Sequence, residues 1–221
     1  MRRVIGILIS LTVATIMSAC GGGDINSTPP AQLRVFHASP DAPNVDVYVD
    51  GAKVLANVPY STLSPYLSLP AGKHHIQVNA AGTATTVIDV SLTLGSSDAY
   101  TAIAAGFLAN IEALLAADDT SPAASGQARL RVIHASPDAG PVDILVNGQV
   151  VLSNVAFGTI SNYLTVPAGT YTVQVNAAGT STTAITASVT LTSQSNYSAA
   201  AIGSLKTAGT HPLALKLLTD G

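Results

Sequence analysis

Leu33-Arg34-Val35-Phe36-His37-Ala38-Ser39-Pro40-Asp41-Ala42 occurs twice in this chain, returning as Leu130-Arg131-Val132-Ile133-His134-Ala135-Ser136-Pro137-Asp138-Ala139. The register holds without a gap from 33–106 to 130–203, and roughly 40 of about 74 paired positions are identical, the mark of a tandem duplication. A unit of this length is much longer than a solenoid repeat, so each copy is expected to be a domain with its own core.

Around that stretch, strand signals arrive at short spacing. Leu33 and Val35 flank Arg34, and Val45, Val47 and Val49 alternate with Asp46, Tyr48 and Asp50. This two-residue period marks half-buried strands. Asp50-Gly51 and its counterpart Asn147-Gly148 are two-residue hairpin signals. Ile76 and Val78 oppose Gln77 and Asn79, while Ile88, Val90, Leu92 and Leu94 alternate with Asp89, Ser91 and Thr93. The stretch 111–117 has the Ala and Leu content of a short helix, but its match with 213–218 before a closing Asp favours a strand. Seven or eight short strands per copy predict an all-β protein: two tandem antiparallel, Ig-like β-sandwich domains after a lipoprotein signal peptide.

Composition agrees. The chain is 48% hydrophobic and 10% charged, with no Trp, so its polar surface must be built from Thr, Ser, Asn and Gln. Net charge is −3, and it falls to −5 without Arg2 and Arg3. No basic stripe is left, which argues against a nucleic-acid partner and against adhesion of the domains to an anionic membrane surface.

Arg2-Arg3 followed by an apolar run to Met17 reads as a signal peptide, too short to span a bilayer. Met17-Ser18-Ala19-Cys20 resembles the lipobox of bacterial lipoproteins, with Met17 in place of the usual Leu. That resemblance implies acylation of Cys20, the only cysteine, and so a membrane partner through a lipid anchor. Gly21 after the Cys resembles the pattern sorted to the outer membrane, which makes the expected location the cell envelope, facing the periplasm or the surface. The expected divisions are a signal peptide at 1–19, lipidated Cys and tether at 20–32, repeat 1 at 33–118, a linker at 119–128 and repeat 2 at 129–221. With no second cysteine there is no disulfide, and stability is expected from two cores alone.

The motifs R-V-x-H-A-S-P-D-A (Arg34 to Ala42), V-D-V-Y-V-D-G (Val45 to Gly51) and Y-L-x-L-P-A-G (Tyr66 to Gly72) resemble DUF4397, a bacterial and archaeal domain family of unknown function. Arg131 to Ala139 and Tyr163 to Gly169 repeat the resemblance. It implies exported β-domains, often lipid-anchored and in tandem, and carries no catalytic residues.

His37, Ser39 and Asp41, with His134, Ser136 and Asp138, invite a hydrolase reading. Residues two apart on a strand lie roughly 6–7 Å apart, too far for a Ser–His hydrogen bond. The expected role is structural: the His points inward at a strand end and takes partners from the following turn, and the Asp accepts backbone N–H groups there. A metal site from His37 with Asp41 or Asp46, or from His134 with Asp138 or Asp143, lacks a ligand set for zinc or calcium. The repeated Tyr66/Tyr163 and Tyr100/Tyr197 are expected as buried rings tied by their hydroxyls rather than a sugar platform. No cofactor is expected. The chain therefore reads as a noncatalytic binding, adhesion or structural protein of the envelope, with an envelope or external protein or glycan as its candidate partner. Two alternatives stand beside it: a polymer hydrolase with His37 and His134 meeting in an interdomain cleft, and an ion- or ligand-sensing domain pair.

Overall fold

The computed structural model describes residues 28–206 and 210–221. The expected signal peptide and lipobox, with Cys20, lie outside the described residues. In the first copy the chain forms β1 (Ala31–His37), β2 (Val45–Val49), β3 (Ala52–Val58), β4 (Leu67–Leu69), β5 (Gly72–Ala80), β6 (Thr86–Leu94), β7 (Ala99–Ala105) and β8 (Glu112–Asp118). A 3₁₀ turn at Leu108–Asn110 precedes β8. The second copy repeats them as β9 (Gln127–His134), β10 (Val142–Val146), β11 (Gln149–Val155), β12 (Leu164–Pro167), β13 (Gly169–Ala177), β14 (Thr183–Leu191), β15 (Asn196–Ile202) and β16 (Ala214–Thr219). Each copy is a sandwich of two four-stranded sheets. Their orders are β4-β1-β7-β8 over β3-β2-β5-β6, and β12-β9-β15-β16 over β11-β10-β13-β14.

Local chemistry explains the pairing. Asp50 and Gly51 both take positive φ, 50° and 82°, as do Asn147 and Gly148 at 50° and 79°. This left-handed pair gives the type I′ turn whose twist suits a hairpin, and it joins β2 to β3 and β10 to β11. The fold is the expected pair of tandem, mostly antiparallel sandwiches, with one parallel pairing in each copy. β1 runs parallel to β7, and β9 parallel to β15. Between β1 and β7 the chain crosses to the other sheet and returns, so the two strands meet pointing the same way. Side-chain alternation is identical for either direction, so the residue pattern carries no sign of it.

Each sandwich has its own core. Leu33, Val35, Val45, Val47, Ile76, Val78 and Ile88 fill the first, and Leu130, Val132, Val142, Ile144, Val173, Val175 and Ile185 the second. Each such side chain contributes about 1.5–3 kcal/mol on burial. The expectation of two cores alone is corrected by a third. Phe36, Ala38, Ile103, Ala105 and Ala116 of the first copy pack with Ile133, Ala135, Ala200, Ile202 and Leu218 of the second. The two sheets containing β1 and β9 thus lie face to face, buried on both sides. Half of these ten residues are alanine, whose small side chain lets the sheets approach closely.

Candidate functional site

The repeated decapeptide leaves its strand at His37, and alternation sends its side chains to different layers. His37 shares the phase of Leu33 and Val35, while Arg34 and Phe36 take the opposite phase toward the other domain. His37 and His134 are fully buried. His37 Nε2 lies 3.1 Å from the Pro43 carbonyl, and His134 Nε2 lies 2.8 Å from that of Gly140. Burial lowers both imidazole pKa values below the ordinary range; the carbonyl contacts oppose this, and at His37 the charge of His211 adds to it.

Ser39 and Ser136 are equally buried. Ser136 Oγ donates to the Gly203 carbonyl at 2.7 Å, and Ser39 Oγ and His37 Nδ1 are not bonded to each other. Neither copy therefore places a serine hydroxyl on its histidine. The acidic member goes further afield than the expected local turn. Asp41 Oδ1 accepts the Leu108 N–H at 2.7 Å, in the loop after β7. Asp138 accepts N–H groups of Leu205 and Lys206 and the Ser204 hydroxyl, in the loop after β15. Burial alone would raise the Asp138 carboxyl, but these donors outweigh it and hold its pKa below the usual range. The correction has a simple reason: the parallel pairing of β1 with β7 brings that loop beside the strand end, where its N–H groups outcompete the turn's own.

The polar centre of the molecule is a cluster of which only the tied tyrosines, Tyr66 and Tyr163, were expected from the sequence. Arg34 projects from β1 across the domain contact; Nη1 donates to the Thr219 carbonyl at 2.7 Å and Nη2 to Asp220. Arg131 on β9 does the same in reverse, to the Ala117 carbonyl at 2.6 Å and to Asp118. Each Nε donates to a hydroxyl of its own copy, Thr101 at 2.8 Å or Ser198 at 2.7 Å. Those hydroxyls in turn donate to Asp118 and Asp220. Tyr66 and Tyr163 complete the array, donating to Asp118 and Asp220 at 2.7 Å while each ring stacks on the arginine of its own copy. Burial, reinforced by the neighbouring carboxylate, pushes both phenols well above the ordinary tyrosine range. The side chains of both arginines and both aspartates are at most 4% exposed. An arginine flanked in sequence by buried residues on a strand was the available signal.

Several other charged groups tie hairpins. Lys53 donates to Asp46 at 2.7 Å, and with the N–H groups of Asn57 and Gly82 it holds that carboxyl at about 2. His74 bridges Asp50 and the Pro70 carbonyl, and His75 pairs with Asp89. Tyr100 and Tyr197 are tied through their hydroxyls, to Asp98 and to Thr192. Among the described residues, no three His, Cys, Asp or Glu side chains gather as a metal-ligand set. No helix among them is long and apolar enough to cross a membrane.

The family described as "Domain of unknown function (DUF4397)" matches residues 31–144 and again 130–220. No curated protein matches the chain. Among solved structures, the chain is similar to "The Bacillus anthracis TIE protein" at 13% identity and a TM-score of 0.28, covering 76% of this chain and 32% of that one. The chain thus spans about a third of that protein's length. The family CBM26 module of Eubacterium rectale Amy13K, solved with maltoheptaose, matches at 12% identity and a TM-score of 0.26, covering 86% and 97% of the two chains. Likenesses this distant carry no functional argument.

Proposed function

We propose a function from one premise: this chain belongs to the DUF4397 family, a domain of unknown function that it carries twice. It is a noncatalytic, lipid-anchored protein of the cell envelope. It presents its paired sandwiches as one rigid binding or spacing block.

The observation that carries this reading is that the histidine, aspartate and arginine side chains of the repeated motif are spent on holding the fold. His37 and His134 hold the loops that follow their strands, Asp41 and Asp138 hold the loops after β7 and β15, and Arg34 and Arg131 hold the opposite domain. A hydrolase working between the domains would need a cleft with His37 and His134 facing across it. Phe36, Ile103, Ile133 and Ile202 fill that contact instead, and the histidines have the opposite strand phase. The ion-sensing alternative is disfavoured because Asp41, Asp46 and Asp50 already accept protein donors.

The anchoring half of the proposal rests on the Cys20 lipobox. Ten residues separate Cys20 from β1, a reach of up to about 35 Å when extended. The test is protease accessibility on intact cells with a permeabilised control, repeated for Cys20→Ala. Wild-type protein should fractionate with membranes and Cys20→Ala should not. Digestion on intact cells would point to an external partner, and protection until permeabilisation to a periplasmic one. Membrane association that survives Cys20→Ala would sink the anchor.

A further inference from the structure

The two copies serve as controls for each other, and they differ in character along one side of the sandwich. Among the described residues of the second copy, β11 and β12 are the edge strands of their sheets on the same side, and β11 pairs with β10 alone. On the opposite side β14 and β16 lie against each other. Between β11 and β12 opens an apolar cavity of about 70 Å³, with Val146, Val151, Leu164, Val166, Tyr171 and Val173 among its walls. Val151 and Leu164 at its mouth are 41% and 42% exposed, and Val150 beside them is 58% exposed.

The first copy guards the same place. Lys53 stands where the second has Val150, bonded to Asp46 and lying over the Tyr48 ring. A lysine on an edge strand is a standard defence against an added strand. His74, bonded to Asp50 and to the Pro70 carbonyl, stands where the second copy has Tyr171, whose hydroxyl keeps only the second of these bonds, to the Pro167 carbonyl at 2.6 Å. Asn147 replaces Asp50. Leu69 and Ile76 give way to the smaller Val166 and Val173. The lysine, the histidine and Asp50 are gone from this side, Asp143 keeps the place of Asp46, and two of the walls have each lost a carbon.

We propose that this side of the second repeat is a strand-addition site: an extended, uncharged peptide segment pairs with the free edge of β11 and seats one aliphatic side chain in the cavity. An exposed edge supplies the main-chain hydrogen bonds and a pocket supplies the selectivity. Cavity size sets the anchor. An apolar cavity of roughly 150 Å³ accepts benzene, so one half that size takes the branched end of Leu, Ile or Val and excludes a ring. Asp143 is taken up by the Asn154 and Gly179 N–H groups, and no lysine stands at the position of Lys53 to pair an incoming carboxylate, which matches an uncharged segment. The inference rests on the binding reading above and names its partner class.

The test is an amide chemical-shift titration of the full chain with acetyl-Thr-Val-Leu-Val-Thr-amide and with the same peptide carrying Asp in place of Leu. The Leu peptide should perturb β11 and β12 and bind at least tenfold more tightly than the Asp peptide. Val150→Lys, and the pair Val166→Leu with Val173→Ile, each restore first-copy residues; both should weaken binding at least tenfold without lowering Tm. If the chain sediments as a dimer that Val150→Lys returns to monomer, a second copy supplies the strand and the site stands. No perturbation, equal binding of the two peptides, or binding indifferent to these variants would overturn it. None of these results bears on membrane anchoring, so failure here is distinguishable from failure of the anchored-envelope reading.

Discussion

Arg131, on the first strand of the second repeat, donates to Asp118, the last residue of the first repeat's last strand, and Arg34 returns the same bond to Asp220. The two bonds are related by the duplication: each copy lends its terminal carboxylate to the other's arginine. Face-to-face contact of like with like has the geometry of a two-fold dimer, here made within one chain.

That relationship sets the first prediction. Removing one partner of a buried pair strands the other charge, at a cost of about 3–5 kcal/mol. Arg131→Met and Arg34→Met should each lower stability by this amount, roughly 10 °C in Tm for a protein of this size. Arg129 provides the control, since its bond to Asp119 at 2.9 Å joins side chains that are 27% and 38% exposed. Arg129→Met should cost at most about 1 kcal/mol. Thermal unfolding followed by circular dichroism measures all three. A loss for Arg131→Met no larger than that for Arg129→Met would refute the buried pairing.

Alternation and turn chemistry made the strands legible. Val45, Val47 and Val49 face the core as their spacing demands, and Asp50-Gly51 makes the hairpin that its residues require. The inward histidine and its carbonyl partner could be read because His37 sits on the Val35 phase. What could not be read was anything depending on which strands meet. The parallel pairing of β1 with β7 leaves no mark on alternation, and the reach of Asp41 to Leu108 follows from that pairing. The domain contact did leave a signal. β15 is buried at every residue, Asn196 to Ile202, and β7 at all but Tyr100. Strands covered on both faces read as continuous rather than alternating runs, and Ala102-Ile103-Ala104-Ala105 is such a run.

A second prediction concerns the glycines that end these runs. Gly203 has φ +87°, and a Cβ built there would meet the Pro212 carbonyl oxygen at 2.1 Å; at Gly106, with φ +93°, it would meet the Asn110 oxygen at 2.7 Å. Both obstacles are backbone, and both positions combine left-handed strain with a clash. Gly203→Ala and Gly106→Ala should each cost more than about 1 kcal/mol, with Gly203 the worse. Gly51→Ala is the comparison, having positive φ but nothing within 4 Å of the new carbon. Urea midpoints would test the ranking, which fails if Gly51→Ala is the most damaging of the three.

The pH dependence of stability should carry two opposed histidine contributions. His37 and His134 have lowered pKa values because they are buried. As pH falls below about 6.5 the unfolded chain takes up protons that the native state refuses, so these two residues destabilise the fold on acidification. His74 acts in the other direction. The Pro70 carbonyl and then the Asp50 carboxylate raise its pKa, so its stabilisation is fully present below about 6.5 and is lost as pH rises through the raised value. Replacing His74 with Gln deletes only the second contribution. The deficit in Tm of His74→Gln relative to wild type should therefore be larger at pH 5.5 than at pH 8, and the variant's acid decline the steeper of the two. The His75 N–H, and then His74, hold the Asp50 carboxyl below its ordinary range, so the partner of His74 stays ionised between those limits. A deficit that is the same at both ends would mean that His74 holds no extra proton in the folded state, and its bond to Asp50 would then be a neutral one.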